Sequence, residues 1–272
     1  MAEAVAKIGE TVPVPMSELE KQMQADAGRG VSTSIADNII PQITILQPLS
    51  PEVLDGPEQI EGAKPGDLLV GKNLHSGKNG IWFQPCGFHQ LWLEFTPLAQ
   101  GGGFISAHPY VTDSNGQEVL PDGAYRKEKM RVAFKNGNEC IHYRQLAGIV
   151  WENGTGLEYI IPFKSTGHTI AKEWNTKALR LNRFANGQSR SLWSHIYNLT
   201  TSQRRNQAGQ WYVIDVGQAL LLSDDDQKVV SIVGNPAAAY AMAGALATAF
   251  ERNEKTAATP VSRQTTDDEV PF

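Results

Sequence analysis

The feature that most restricts this chain is a series of short, aromatic-rich apolar segments, broken at close intervals by turn residues, between positions 66 and 160. Asp67-Leu68-Leu69-Val70, Gly80-Ile81-Trp82-Phe83-Gln84 and Gln90-Leu91-Trp92-Leu93-Glu94-Phe95 carry the composition of strands that rest one face on a core. Lys135-Asn136-Gly137-Asn138 and Glu152-Asn153-Gly154 contain Asn-Gly, the pair that accepts the left-handed backbone of a tight hairpin turn. The second turn lies between the apolar stretches 147–151 and 157–163. Gly101-Gly102-Gly103 reads as a loop. A meander of short strands follows, and its natural closure is a barrel.

Helices are expected on either side of this body. Ser17-Glu18-Leu19-Glu20 is a capping box that opens a helix to about Ala27, where Gly28 and Gly30 stop it. A short extended segment is expected at Ile43-Thr44-Ile45-Leu46. A helix from about Thr169 to Ala185 is expected to end at Asn186-Gly187. Ile170, Trp174, Ala178, Leu181 and Ala185 fall on one arc of it and Lys172, Lys177, Arg180 and Arg183 on the other, while Leu179 and Phe184 break the pattern. Two strands, about 192–201 and 211–222, flank the polar connection 203–209. Asn235-Pro236 supplies an N-cap and first-turn proline for an Ala-rich helix reaching about Arg252. The expected organisation is a flexible segment with a short helix at 1–35, one folded domain at 36–252, and a polar linker with an acidic tail at 253–272.

Charge is distributed unevenly. The net charge is −5, yet residues 122–212 carry 14 Lys and Arg against 6 Asp and Glu, while both flanking regions are acidic. Twelve of the 22 aromatic residues fall in that same basic window. Cations that neutralise phosphates, interleaved with rings that stack on unpaired bases, are what a protein needs to hold a single strand. The phosphate candidates are Lys164, Lys172, Lys177, Arg180, Arg183, Arg204 and Arg205. The stacking candidates are Trp174, Trp193, Tyr197 and Trp211, with Trp174 the first expected to belong to the core instead. Trp193, His195, Tyr197 and Leu199 alternate onto one face of a strand, which is a binding face or a core face. The helix cations are phosphate contacts or a solvated face.

Other chemistry finds little support. Cys86-x2-His89 and Cys140-x-His142 offer the residue types of a tetrahedral zinc site, or they are buried thiols and ordinary histidines. Gly71 to Gly77-Lys78-Asn79 fails the phosphate-loop pattern, and neither HExxH nor GxSxG occurs. Asp224-Asp225-Asp226 is a carboxylate cluster or a solvated turn. The expectation is a protein without an active site, metal or cofactor. No apolar run approaches the roughly 20 residues of a membrane helix, and the N-terminus lacks an apolar signal core, so a cytoplasmic location without a membrane partner is expected.

The last six residues, Asp267-Asp268-Glu269-Val270-Pro271-Phe272, closely resemble the extreme C-terminus of bacterial single-stranded-DNA-binding proteins. A terminal Phe with its free carboxylate suits an apolar pocket beside a basic residue, Pro271 limits the entropy lost on docking, and the acids steer toward a basic rim. A solubilising acidic tail is the plainer reading. The resemblance implies a tip that recruits replication and recombination proteins, and an oligonucleotide-binding barrel. In the bacterial family that barrel comes first, whereas here the opening 60 residues are acidic and irregular. The segment from Phe163-Lys164-Ser165-Thr166 through Lys172-Glu173-Trp174-Asn175 looks like a phage protein family often found in replication gene clusters, which implies a phage origin.

The resulting expectation is a mainly β, α+β chain: an oligonucleotide-binding type of barrel with flanking helices. It binds single-stranded DNA without sequence preference, with self-association left open. A recombination mediator or strand-annealing protein, and a phage structural or assembly protein with a docking tail, are the alternatives.

Overall fold

The computed structural model describes residues 40–127, 131–164, 167–181, 183–207 and 209–252. In chain order, β1 (Ile43–Ile45), β2 (Leu68–Val70) and β3 (Asn73–His75) form a small antiparallel sheet. There follow β4 (Ile81–Phe95), β5 (Phe104–Pro109), β6 (Val111–Thr112), β7 (Glu118–Val119), β8 (Ala124–Arg126), β9 (Val132–Phe134), β10 (Glu139–Glu152) and β11 (Thr155–Phe163). Helix α1 (Gly167–Leu181) leads to β12 (His195–Asn206) and β13 (Gly209–Leu221), and the described chain closes with α2 (Gln227–Val233) and α3 (Pro236–Arg252). The fold is mainly β with helical additions, and its eight-stranded main sheet curls into a half-barrel.

The main sheet is built on one long ladder. β4 and β10 pair antiparallel from Trp82↔Trp151 to Phe95↔Glu139. At one end, Ile81 to Phe83 of β4 also pair with β12, which pairs with β13, while β10 pairs with β11. At the other end, Leu91 to Phe95 pair with β5, while Glu139 and Cys140 of β10 pair with β9, which pairs with β8. Two half-sheets thus share two strands. The ladder slips register between Ala147 and Gly148, opposite Pro85 and Gly87. Proline donates no ladder hydrogen bond, so it is tolerated at such an irregularity. A side chain at Gly148 would bring its Cβ to 2.3 Å from the Gln84 carbonyl oxygen, so only glycine fits there.

Because strand side chains alternate, the sheet buries both faces. Phe83, Leu146, Val150, Ile161, Tyr197 and Leu199 form the inner core with Ile43, Leu68 and Val70 of the small sheet. Ile170, Ala171, Trp174 and Ala178 of α1 close it. On the opposite face, Ile149, Trp151 and Ile196 meet Val229 and Val233 of α2 and Ala239, Ala243, Leu246 and Ala247 of α3. The alanines recur every four residues, which gives α3 a smooth stripe toward the sheet. No single helix among the described residues is long and apolar enough to cross a membrane.

Several expectations are met. Asn136-Gly137 and Asn153-Gly154 turn the β9–β10 and β10–β11 hairpins, with Asn153 and Gly154 both at positive φ (49° and 81°). Asn235 caps α3, its Oδ1 accepting from the Ala238 N–H at 2.9 Å. Others need correction. The two segments expected at 80–84 and 90–95 are one 15-residue strand running through Pro85. The polar connection 203–209 is mostly strand, and Leu192–Ser194 is a 3-10 turn. The helix expected to reach Ala185 stops at Leu181. The short α2 was not expected; Asp226 caps it by accepting from the Lys228 and Val229 N–H groups, which gives the Asp224-Asp225-Asp226 run a structural task. The expected helix after Ser17 and the whole of 253–272 lie outside the described residues.

One buried carboxylate locks the second half-sheet. Glu94 on β4 accepts at Oε2 from Ser106 Oγ (3.0 Å) and faces His108 Nε2 (3.1 Å), both from β5. Its Oε1 accepts from the amides of Asn136 and Asn138 in the β9–β10 turn. Burial alone would raise its pKa, but the hydrogen bonds from Asn138, Asn136, His108 and Ser106 outweigh it and hold the group at about 2. His142, on the same face of β10, is lowered to about 4, first by burial and then by His168 and Arg144.

Both groups are depressed on folding, so each stabilises the fold above its unfolded pKa and loses that contribution as pH falls. Urea unfolding is expected to show one loss between pH 6.5 and 4, diminished in His142→Gln, and a second between pH 4.5 and 2, absent in Glu94→Gln. At pH 7, Glu94→Gln costs about 1–3 kcal/mol. Stability independent of pH across these windows would contradict the assignment.

Candidate nucleic-acid interface

The candidate surface follows from how α1 docks. Its apolar arc enters the inner core, where Trp174 (1% exposed) meets Phe83 edge-on at 5.8 Å and Tyr197 at 5.4 Å. The helix lies across β11 and β13, and Lys177 fastens it there. The Lys177 ammonium donates to the Val216 and Gly217 carbonyls at 2.7 and 2.6 Å, where β12 and β13 slip register. Lys172 and Arg180 are left on the exposed side, with Arg183 just beyond the helix. Thr176, Leu179, Arg180 and Arg183 line a shallow depression. A second depression shares Thr176 and Arg180 and extends past Lys172, with Glu173 as a carboxylate in its lining. Leu179, 67% exposed, puts apolar surface among these cations.

The remaining predicted cations divide. Lys164 is half-buried after β11 and already has an interaction partner. Arg204 and Arg205 are exposed near the end of the β12–β13 hairpin, and Arg204 lies 3.6 Å from the Asp215 carboxylate. Arg204 pairs with Trp211, five residues along β13 from Val216, so the two basic surfaces are separated by about 17 Å of strand.

Two of the four predicted stacking rings are corrected by the structure. Trp174 and Tyr197 (0% exposed) are core residues and offer no face to a base. Trp193 is half-buried on the α3 side, 6.2 Å from Tyr240, and Trp211 is half-buried against the inner core. The expected shared face of Trp193 and Tyr197 does not exist: the first precedes β12 in the 3-10 turn, and the two rings enter opposite cores. Among the described aromatics of the basic window, the exposed rings are Tyr125 (43%) and Phe184 (46%). The Arg190 guanidinium stacks over Phe184 at 4.3 Å, and the Lys127 ammonium lies 5.9 Å from Tyr125. Phe184 is not among the predicted rings because it breaks the helical arc. That misfit was the available signal: a large apolar side chain with no core position.

The zinc alternative does not assemble. His89 pairs with Gln145 and stacks on Phe250 at 4.0 Å, whereas His142 pairs with Trp92 and stacks on Tyr110 at 4.7 Å. Burial pushes both thiols up, Cys140 to about 12 with Glu94 and Glu118 adding to it. Among the described residues, no group of three or more His, Cys, Asp or Glu is placed to hold a metal. Ser106, His108 and Glu94 meet within hydrogen-bond distance, yet the hydroxyl and the carboxylate both face His108 Nε2. A Ser-His-carboxylate relay joins its two partners through opposite ring nitrogens, which this arrangement does not do; its contacts tie β4 to β5.

No curated protein and no solved structure matches the chain. A family model described as Pam3 phage gp34-like protein matches residues 10–256, which include every described residue. The chain belongs to the Pam3 phage gp34-like protein family.

Proposed function

We propose that this chain is a phage-encoded, sequence-independent single-stranded-DNA-binding protein. It shields unpaired DNA during replication, recombination and repair in the cytoplasm of the host cell, and recruits partners through residues 267–272. The observation that carries the reading is the exposed side of α1, where Arg180 and Arg183 lie beside exposed Leu179 in one shallow depression and Lys172 lines the adjoining one, next to a helix fixed to the sheet by Trp174 and Lys177. Exposed cations on a rigid element can follow a phosphate backbone without the cost of ordering that element, and apolar surface beside them suits bases and not phosphates. The curled half-barrel, with a helix against it, is read as a variant of the oligonucleotide-binding barrel. Binding requires no cofactor and no reaction.

Titration of labelled oligo-dT at several salt concentrations tests this. The protein is expected to bind with an affinity that falls steeply with salt, at a log–log slope of about 0.7 for each phosphate neutralised. The triple variant Lys172→Ala, Arg180→Ala, Arg183→Ala is expected to lose about tenfold or more in affinity, with a slope shallower by about 2. Equal, weak binding of single strands and duplex contradicts the proposal. Rapid pairing of complementary oligonucleotides would point instead to an annealing protein.

The tail has its own test in the same titration. Deleting residues 267–272 is expected to leave oligo-dT affinity unchanged or tighter, because an acidic segment contributes no phosphate contact. Weaker binding by the truncated chain contradicts a tail that acts on partners.

A further inference from the structure

We infer that the turn at 183–190 is the base-stacking element of this surface, with Phe184 as the platform and Arg190 as its support. The inference rests on the single-stranded-DNA reading above and names the group that distinguishes unpaired from paired DNA.

The turn is a built structure. Arg183 and Ser189 form an antiparallel bridge, the Phe184 N–H donates to the Gln188 carbonyl at 2.8 Å, and the Gly187 N–H donates to the Phe184 carbonyl at 2.9 Å. Asn186 Oδ1 accepts from the Gln188 N–H at 3.0 Å, and Gly187 takes the positive φ (81°) that closes the turn. Phe184 is therefore held by hydrogen bonds of its own backbone. Nearly half of its surface remains in water. The Arg190 guanidinium covers another part of the ring at 4.3 Å, which fixes its orientation by cation–π attraction.

This geometry complements the exposed side of α1. Arg183 both bridges the turn and lines the depression on α1, so the turn continues directly from that surface, and the cation against the ring itself is Arg190. A single strand presents phosphates and unstacked bases alternately, and a ring beside cations meets both. In a duplex the base faces are already stacked, so Phe184 gains nothing from it. The α1 cations then supply affinity for any polyanion, and Phe184 supplies the preference for unpaired DNA. Phe184 thus takes the stacking role that the buried Trp174 and Tyr197 have no exposed face to fill.

Phe184→Ala and Phe184→Trp in the full chain test the inference, with thermal unfolding as the check that an exposed substitution leaves the fold intact. Phe184→Ala is expected to weaken oligo-dT binding about tenfold or more while its salt slope and its weak duplex affinity stay unchanged, because no phosphate contact is removed. Phe184→Trp is expected to restore binding, and the added indole emission is quenched by oligo-dT. Should Phe184→Ala bind oligo-dT like the parent while the triple-cation variant is weakened, the inference fails and the DNA reading stands. Equal losses for single strand and duplex, with a changed slope, would also overturn it, since Phe184 would then act by shaping the turn. Absence of salt-sensitive binding in the parent chain defeats the DNA reading itself.

Discussion

β4 and β10 remain paired from Trp82 to Phe95, yet neither keeps the same neighbour on its outer edge, and the rest of the architecture depends on how that ladder bends. The bend is fixed chemically. Gln84 is fully buried and uses both ends of its amide: Nε2 donates to the Trp193 carbonyl at 2.8 Å, and Oε1 accepts from Trp151 Nε1 at 2.9 Å. A buried amide left unpaired would cost about 1–3 kcal/mol, so this pairing specifies where β4, β10 and the turn before β12 meet. Pro85, Gly87 and Gly148 lie beside it, where a donor or a Cβ would obstruct the irregular register. A Cβ on Gly87 would sit 2.5 Å from Phe250 Cδ1, so the same region also sets how closely α3 approaches.

From this bend the position of the basic surface follows. The half-sheet carrying β12 and β13 curls over the inner core and offers Val216 and Gly217 carbonyls at its slipped register. Lys177 satisfies them and Trp174 fills the space beneath, so α1 has one orientation in which to lie. Two residues that look like DNA contacts by type are thereby used in packing. Lys172 and Arg180 are left on the outer side of a helix that cannot roll without exposing Trp174, and Arg183 follows just beyond its end. The second half-sheet is locked by the polar network around Glu94.

Local chemistry was legible in the sequence. Asn136-Gly137, Asn153-Gly154 and Asn235-Pro236 each act within a few residues, and the Ile170, Trp174, Ala178 arc identified the buried side of α1. What stayed hidden depends on distant partners. Pro85 reads as a break, and only the opposing Gly148 makes it acceptable within a strand. Alternation revealed that Tyr197 has a preferred face, but both faces of this sheet are covered, one by α1 and the other by α2 and α3, so alternation did not identify a wet side. The arginines of the β12–β13 hairpin were placed in a loop because their polarity hid a strand that projects past the core. Phe184 shows the reverse: its failure to fit a pattern was itself informative.

Hydrogen–deuterium exchange of the full chain, with and without saturating oligo-dT, tests the central claim most directly. The account predicts slower exchange across 167–190, covering α1 and the Phe184 turn, with a smaller effect near Arg204 and Arg205 and none in β5 to β9. Protection confined to β5–β9, or no protection at a concentration where the oligonucleotide is bound, would contradict it.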